Sequence, residues 1–182
     1  MENTDKPLPS TGGAQSAASP TTSPIVPLDD HQKGVIRASI VEIAKTCLGI
    51  SYAEGKTQAD FDAGVGQWRD LSKLPATLDC EGLVRGCYLK AGLKMPEGSQ
   101  HQFDFTVATA SPKIGDLAFF GHGKNILQIY HVGLVYDDSR IIEARFLQPE
   151  SNFETGKVIL RPRGNWVMFA NFCGYRSHPK LI

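Results

Sequence analysis

The chain has 182 residues, of which 41% are hydrophobic and 21% charged, enough for one domain of ordinary size around a single core and too little for two. Lys plus Arg and Asp plus Glu number 19 each, so no whole-chain field steers it toward nucleic acid or an acidic membrane, and its partner must be argued from a site. No stretch approaches the roughly 18 apolar residues of a membrane-spanning helix, and no basic region followed by an apolar run marks a Sec-type export signal, so action outside the cytoplasm implies delivery by another route.

Residues 1–28, rich in Pro, Ser, Thr, Gly and Ala, hold too few large apolar side chains to offset the entropy of ordering them, and read as a flexible tail ahead of one domain over 29–182. From Asp29 or Asp30, Val35, Ile36, Ile40, Ile43, Ala44 and Cys47 fall near a 3.6-residue period, with Gly49 placed to end an amphipathic helix. Residues 50–78 show no sustained period and read as a long loop region with one short helix near Trp68. In DCEGLVRGCYLKAGLKMP, the residues Leu83, Val84, Cys87, Tyr88 and Ala91 make an apolar stripe, with Asp79 as N-cap, Gly92 as stop and Pro96 beyond. A Ser-, Gln- and His-containing loop follows. The period then switches to that of strands in KIGDLAFF, ILQIYHVGLVYDD, RIIEARFL, KVILRPR and WVMFANFCGYRS. Helices first and strands afterwards predict the α+β class, with N-terminal helices packed on a central antiparallel sheet of about five strands.

The four cysteines, Cys47, Cys80, Cys87 and Cys173, have no framework spacing and no CxxC pair, so reduced thiols and no metal site are expected. Cys80 falls in the first turn of its helix. There the free backbone amides and aligned peptide dipoles favour a thiolate, and the same amides are placed to receive a developing oxyanion. A cysteine nucleophile also needs an imidazole, and a third polar group to hold that imidazole. His131, inside an apolar strand where an unpartnered ring is costly, is the candidate base. Alternation puts Tyr130, Val132 and Leu134 on one side of the strand and His131, Gly133 and Val135 on the other. The strand RIIEARFL follows the turn YDDS, so a hairpin brings Glu143 toward His131. Asp79 is an alternative partner, better suited to capping. Each residue also has a plainer role: Cys47, Cys87 and Cys173 as core fillers, His131 as a satisfied structural histidine, Glu143 as an edge-strand charge.

Three segments in this order, DCEGLV at 79–84, GDLAFF at 115–120 and HVGLVYDDSRIIEA at 131–144, resemble the motifs of the NlpC/p60 family of papain-like cysteine peptidases. The resemblance covers roughly residues 35–177 and implies a papain-like fold with Cys80 as nucleophile and His131 as base. It also implies a substrate- or oxyanion-binding tyrosine at Tyr52, in CLGISYAEGK, and a basic end to the last strand at Arg176. Three departures stand out. The usual serine after the nucleophile is Glu81, beside Asp79 at the mouth of the site. The third catalytic position falls on Glu143, as in the related CHAP amidases. The segment between Tyr52 and Cys80 is longer than the family's compact version. The activity implied is thiol-dependent cleavage of amides in cell-wall stem peptides, such as the bond after γ-D-glutamate, with no metal or organic cofactor. A CHAP-like amidase and an inactive wall-binding or tail module are the rival readings. Delivery to the cell wall as a phage lysis or tail protein, or as an effector of an injection system, is expected, with a tail, secretion-system or immunity protein as partner.

Overall fold

A computed structural model of the chain describes residues 27–55, 57–122, 128–145, 156–164 and 171–182. The tail expected at the amino terminus therefore lies outside the described residues through position 26.

Helix α1 (Asp30–Thr46) starts where the pattern predicts. The Asp29 side chain accepts from the Gln32 amide at 2.7 Å and the Gln32 side chain answers to the Asp29 amide at 3.0 Å, so two end amides are satisfied reciprocally. Ile40, Ala44 and the C-cap Cys47 are fully buried and Ile36 and Ile43 partly so, while Val35 of the predicted stripe is 56% exposed. Arg37 on the same helix is buried as well. Its guanidinium meets Asp116 at 2.6 Å, Ser177 Oγ at 2.9 Å and the Leu181 carbonyl at 2.8 Å, and so ties α1 to the start of the sheet and to the carboxyl end. Strand β1 (Ser51–Tyr52) and helix α2 (Gln58–Ala63) follow. The short helix expected near Trp68 thus stands earlier in the loop, and Trp68 itself is a buried loop residue whose indole N–H donates to the Lys73 carbonyl at 2.8 Å.

Strand β2 (Thr77–Leu78) leads directly into helix α3 (Cys80–Lys90), which Asp79 caps by accepting from the Gly82 amide at 2.7 Å. The stretch expected as a loop after α3 contains helix α4 (Ser99–Phe105). Its sequence has too weak a period to announce it, and no side chain caps it. Tertiary contacts hold it instead: Gln102 is fully buried and Phe103 packs edge-on against Phe119 with ring centroids 5.2 Å apart.

The remaining strands are β3 (Val107–Thr109), β4 (Leu117–His122), β5 (Gln128–Val135), β6 (Arg140–Arg145), β7 (Lys157–Pro162) and β8 (Phe172–Ser177), with a final 3₁₀ turn at Pro179–Leu181. Among the described residues they form one eight-stranded sheet in the order β2-β1-β7-β6-β5-β4-β8-β3. The five strands predicted from sequence are its centre, and the three additions, β1, β2 and β3, are two or three residues long. All pairs are antiparallel except β1 with β2. The main core lies where α1 and α3 cover one face, and includes Leu83, Val84, Cys87, Leu117, Phe119, Val132, Leu134, Ile142 and Ala144. A smaller cluster of Ala118, Phe120 and Ile141 occupies the opposite face. This is the α+β architecture the sequence predicts.

Candidate active site

Two local features bring the predicted site residues into one region. The first is the start of α3. Strand β1 pairs with β2 in the register Tyr52↔Leu78, so Tyr52 stands beside the residue two positions ahead of Cys80. The Gly64–Gln67 turn crosses directly over the helix start: the Asp79 amide donates to the Gly66 carbonyl at 2.9 Å, and a Cβ on Gly82 would come within 2.1 Å of that oxygen. Glycine at 82 is what allows the close approach.

The second feature is a parting of strands. β5 and β6 have register partners only at Leu134↔Ile142 and Val135↔Ile141, next to their hairpin turn. Yet β6 continues to pair with β7 through Arg145, and β5 with β4 through Gln128. Where the two strands separate, the Cys80 thiol meets the backbone of Val132, the residue after His131. Counting on from the last pair, Glu143 falls across from Gly133 and diagonal to His131, which is within side-chain reach. His131 Nε2 lies 2.7 Å from Glu143 Oε2.

Glu143 has no solvent exposure and is surrounded by cations: Arg161 Nη1 lies 3.1 Å and Arg145 Nη1 3.5 Å from its Oε1. The His131 contact engages Nε2 of the ring and so turns Nδ1 away from Glu143. The ring also packs against Phe120, with centroids 6.1 Å apart.

The strand alternation expected at His131 holds only in part. A register shift between Phe120 and Gly121 leaves Tyr130 as an extra residue, 47% exposed and stacked on His122, while Ile129 joins Val132 and Leu134 in the core. The bulge explains why Tyr130 departs from the face predicted for it.

The surroundings of Cys80 raise its thiol rather than lower it, contrary to what a helix start alone predicts. Burial contributes most, and the charges of Asp79 and then Glu81 add to it, against backbone hydrogen bonds from Val132 and Glu81. Asp79 is itself pushed up to about 7, first by burial and then by the charge of Glu81. Tyr52 is raised far above the ordinary tyrosine value by burial, then by Cys80, Glu54 and Asp79, so its hydroxyl stays a donor.

Glutamines hold the two carboxylates at the start of α3. The Gln67 side-chain amide donates to Asp79 Oδ2 at 3.3 Å and to Glu81 Oε1, and Gln102 donates to the Glu81 carbonyl at 3.1 Å and to its Oε2 at 3.4 Å. Neither glutamine is signalled by sequence pattern, because one sits in a loop and the other on the unannounced helix α4.

The structure thus sets Tyr52, Asp79, Cys80 and Glu81 together at the helix start, and His131 with Glu143 at the parted strands. Arg176, at the end of the last strand, stands apart from them and donates to the Thr106 hydroxyl at 3.2 Å. All four cysteines are free. Among the described residues no group of three or more His, Cys, Asp and Glu side chains is placed to hold a metal ion, and no helix is long and apolar enough to cross a membrane.

The sequence pattern of the NlpC/P60 family matches residues 64–156, about half of the chain. A probable endopeptidase p60 of Listeria monocytogenes is 34% identical over 73 residues, 39% of this chain and 14% of that protein. A bifunctional muramidase/DL-endopeptidase of Bacillus subtilis is 34% identical over 68 residues, 36% of this chain and 21% of that protein. The chain therefore spans only a small part of these relatives. Among solved structures, the peptidoglycan hydrolase RipB of Mycobacterium tuberculosis is similar over 82% of this chain and 67% of that one, with a TM-score of 0.55 at 24% identity. The P60 domain of an antigen from M. avium subspecies paratuberculosis is similar over 80% of this chain and 96% of that one, with a TM-score of 0.55 at 20% identity.

Proposed function

Because this chain belongs to the NlpC/P60 family, we propose that it is a thiol-dependent peptidase that hydrolyses amide bonds in the stem peptides of bacterial peptidoglycan. The observation that carries the reading is the His131–Glu143 contact of 2.7 Å at the point where β5 and β6 part and the Cys80 thiol reaches the Val132 backbone.

The chemistry follows from the chain's own groups. Glu143 holds Nε2–H, so Nδ1 is the basic nitrogen that takes the Cys80 proton as sulfur attacks the carbonyl carbon. A thiol held above its ordinary value gives up that proton during attack instead of standing as a thiolate beforehand. The Cys80 amide at the start of α3 and the Tyr52 hydroxyl serve the oxyanion, with typical losses of roughly 3 to 4 kcal/mol for one such donor removed. The imidazolium then protonates the leaving amine. Water, deprotonated by the same ring, cleaves the thioester and releases the carboxylate. Asp79 and Glu81, the two carboxylates at the start of α3, serve as substrate-binding groups.

The carboxylate at position 143 favours one second reading, a CHAP-like amidase acting on a different wall amide. Incubating purified peptidoglycan with the intact protein, Cys80→Ala and His131→Ala, and analysing soluble products by mass spectrometry, separates the cases. Fragments released by the intact protein alone support hydrolysis, and their masses name the bond. Silence of the intact protein toward walls of several crosslink types, with all three proteins folded, would overturn the proposal.

A further inference from the structure

Nothing in hydrolysis by a Cys–His pair calls for an arginine behind the third residue, yet Glu143 is enclosed by two. The carboxylate is fully buried, with His131 contributed by β5, Arg145 by β6 itself and Arg161 by β7. The β6–β7 register places Arg161 opposite Ile141, two residues from Glu143 and on the same face, while α3 lies on the other face of β6 against Ile142 and Ala144. The described titratable and charged groups that meet Glu143 are therefore this imidazole and these two guanidinium groups.

The two carboxylate oxygens are divided between them. Oε2 goes to His131, and Oε1 goes to Arg161 at 3.1 Å and Arg145 at 3.5 Å. With Oε1 fixed by the guanidinium groups the carboxylate cannot rotate freely, and its second oxygen is held toward the ring. Arg161 has the closer contact, and its side chain is 21% exposed against 31% for Arg145, so it is the stronger of the two holds.

We infer that Arg161, seconded by Arg145, is a positioning residue for the proposed hydrolysis: it holds Glu143 Oε1 and so aims Oε2 at His131 Nε2. The inference rests on the peptidase reading for its catalytic consequence but not for the contact itself.

The test compares the full-length protein with Arg161→Gln, Arg161→Lys and Arg145→Gln, each checked by thermal melting. Readouts are kcat and KM on a soluble muropeptide, and the protected imidazole N–H proton of His131 in NMR spectra. Arg161→Gln is expected to lower kcat roughly tenfold or more with KM within about threefold. It is also expected to erase the protected proton signal. Arg161→Lys should restore most of both, and Arg145→Gln should show the same changes in smaller measure, which decides the matter if Arg161→Gln does not fold. In a Glu143→Gln background, Arg161→Gln should lower kcat no further, because the charge it acts through is gone.

An unchanged kcat and proton signal in folded Arg161→Gln, or losses that multiply in the Glu143→Gln background, would overturn the inference. If the wild-type protein hydrolyses no wall material, the peptidase reading fails. The proton signal then judges the contact alone: its loss in Arg161→Gln sustains the positioning role, and its persistence ends it.

Discussion

His131 and Glu143 meet at 2.7 Å across two strands that have stopped pairing with each other, and the carboxylate of that contact has no exposure to solvent. The ring gains its tautomer from a partner fixed by the sheet, not by a mobile loop. Replacing Glu143 with Gln should lower kcat roughly tenfold to a hundredfold while leaving KM nearly constant, and Glu143→Ala should cost more. Steady-state kinetics on purified muropeptides provide the measurement; a change confined to KM would assign Glu143 to binding instead.

Charge at the mouth of the site should govern the thiol. Burial, Asp79 and Glu81 push Cys80 up, in that order, so removing either carboxylate charge lowers the pH at which the thiolate appears. Alkylation of Cys80 by iodoacetamide, followed on its own peptide by mass spectrometry, should begin at lower pH in Asp79→Asn, and by a smaller margin in Glu81→Gln. Identical alkylation profiles in all three proteins would contradict the electrostatic account.

Asp79 also links stability to pH. Its folded value of about 7 lies above the ordinary 3.8, so the folded state holds the proton more tightly than the unfolded chain does. The stabilisation from that proton is complete below the ordinary value and is lost as pH rises through about 7. In urea titrations at about pH 5 and about pH 8, the wild type should lose up to a few kcal/mol relative to Asp79→Asn, which keeps the cap without the charge. A pH-independent difference between them would refute this.

Two glycines should respond in opposite senses. A Cβ at Gly86 would fall 2.5 Å from the Trp68 ring, while one at Gly34 in α1 would meet nothing within 4 Å. Gly86→Ala should destabilise by about 1 to 3 kcal/mol, because the buried indole has no room to retreat. Gly34→Ala should stabilise by about 0.5 to 1 kcal/mol through helix propensity alone. Denaturant midpoints of the two variants measure both.

Helix α3 and its capping by Asp79, helix α1 and the five central strands could be read from the chain directly. Their signals are local: a period of apolar positions, a capping side chain at Asp79 or Asp29, a glycine at each helix end. The diagonal approach of Glu143 to His131 was also legible, because a hairpin with a short turn leaves few registers. Helix α4, the bulge at Tyr130, the glutamine brackets on Glu81 and the Arg161 contact of Glu143 were not. Each depends on partners distant in sequence: Phe119 for α4, Phe120 and Gly121 for the bulge, Gln67 and Gln102 for Glu81, and β7 for Glu143. The direction of the Cys80 thiol's shift belongs with them. Position in the first turn argues for a thiolate, but burial and two neighbouring carboxylates reverse that direction, and both arise only when the chain closes around the site. Sequence by itself determined which side chains are available for the proposed chemistry, since a thiol, an imidazole and a carboxylate are covalent identities. Tertiary structure alone decided their contacts and orientations, since these follow from distance and the neighbours that folding supplies.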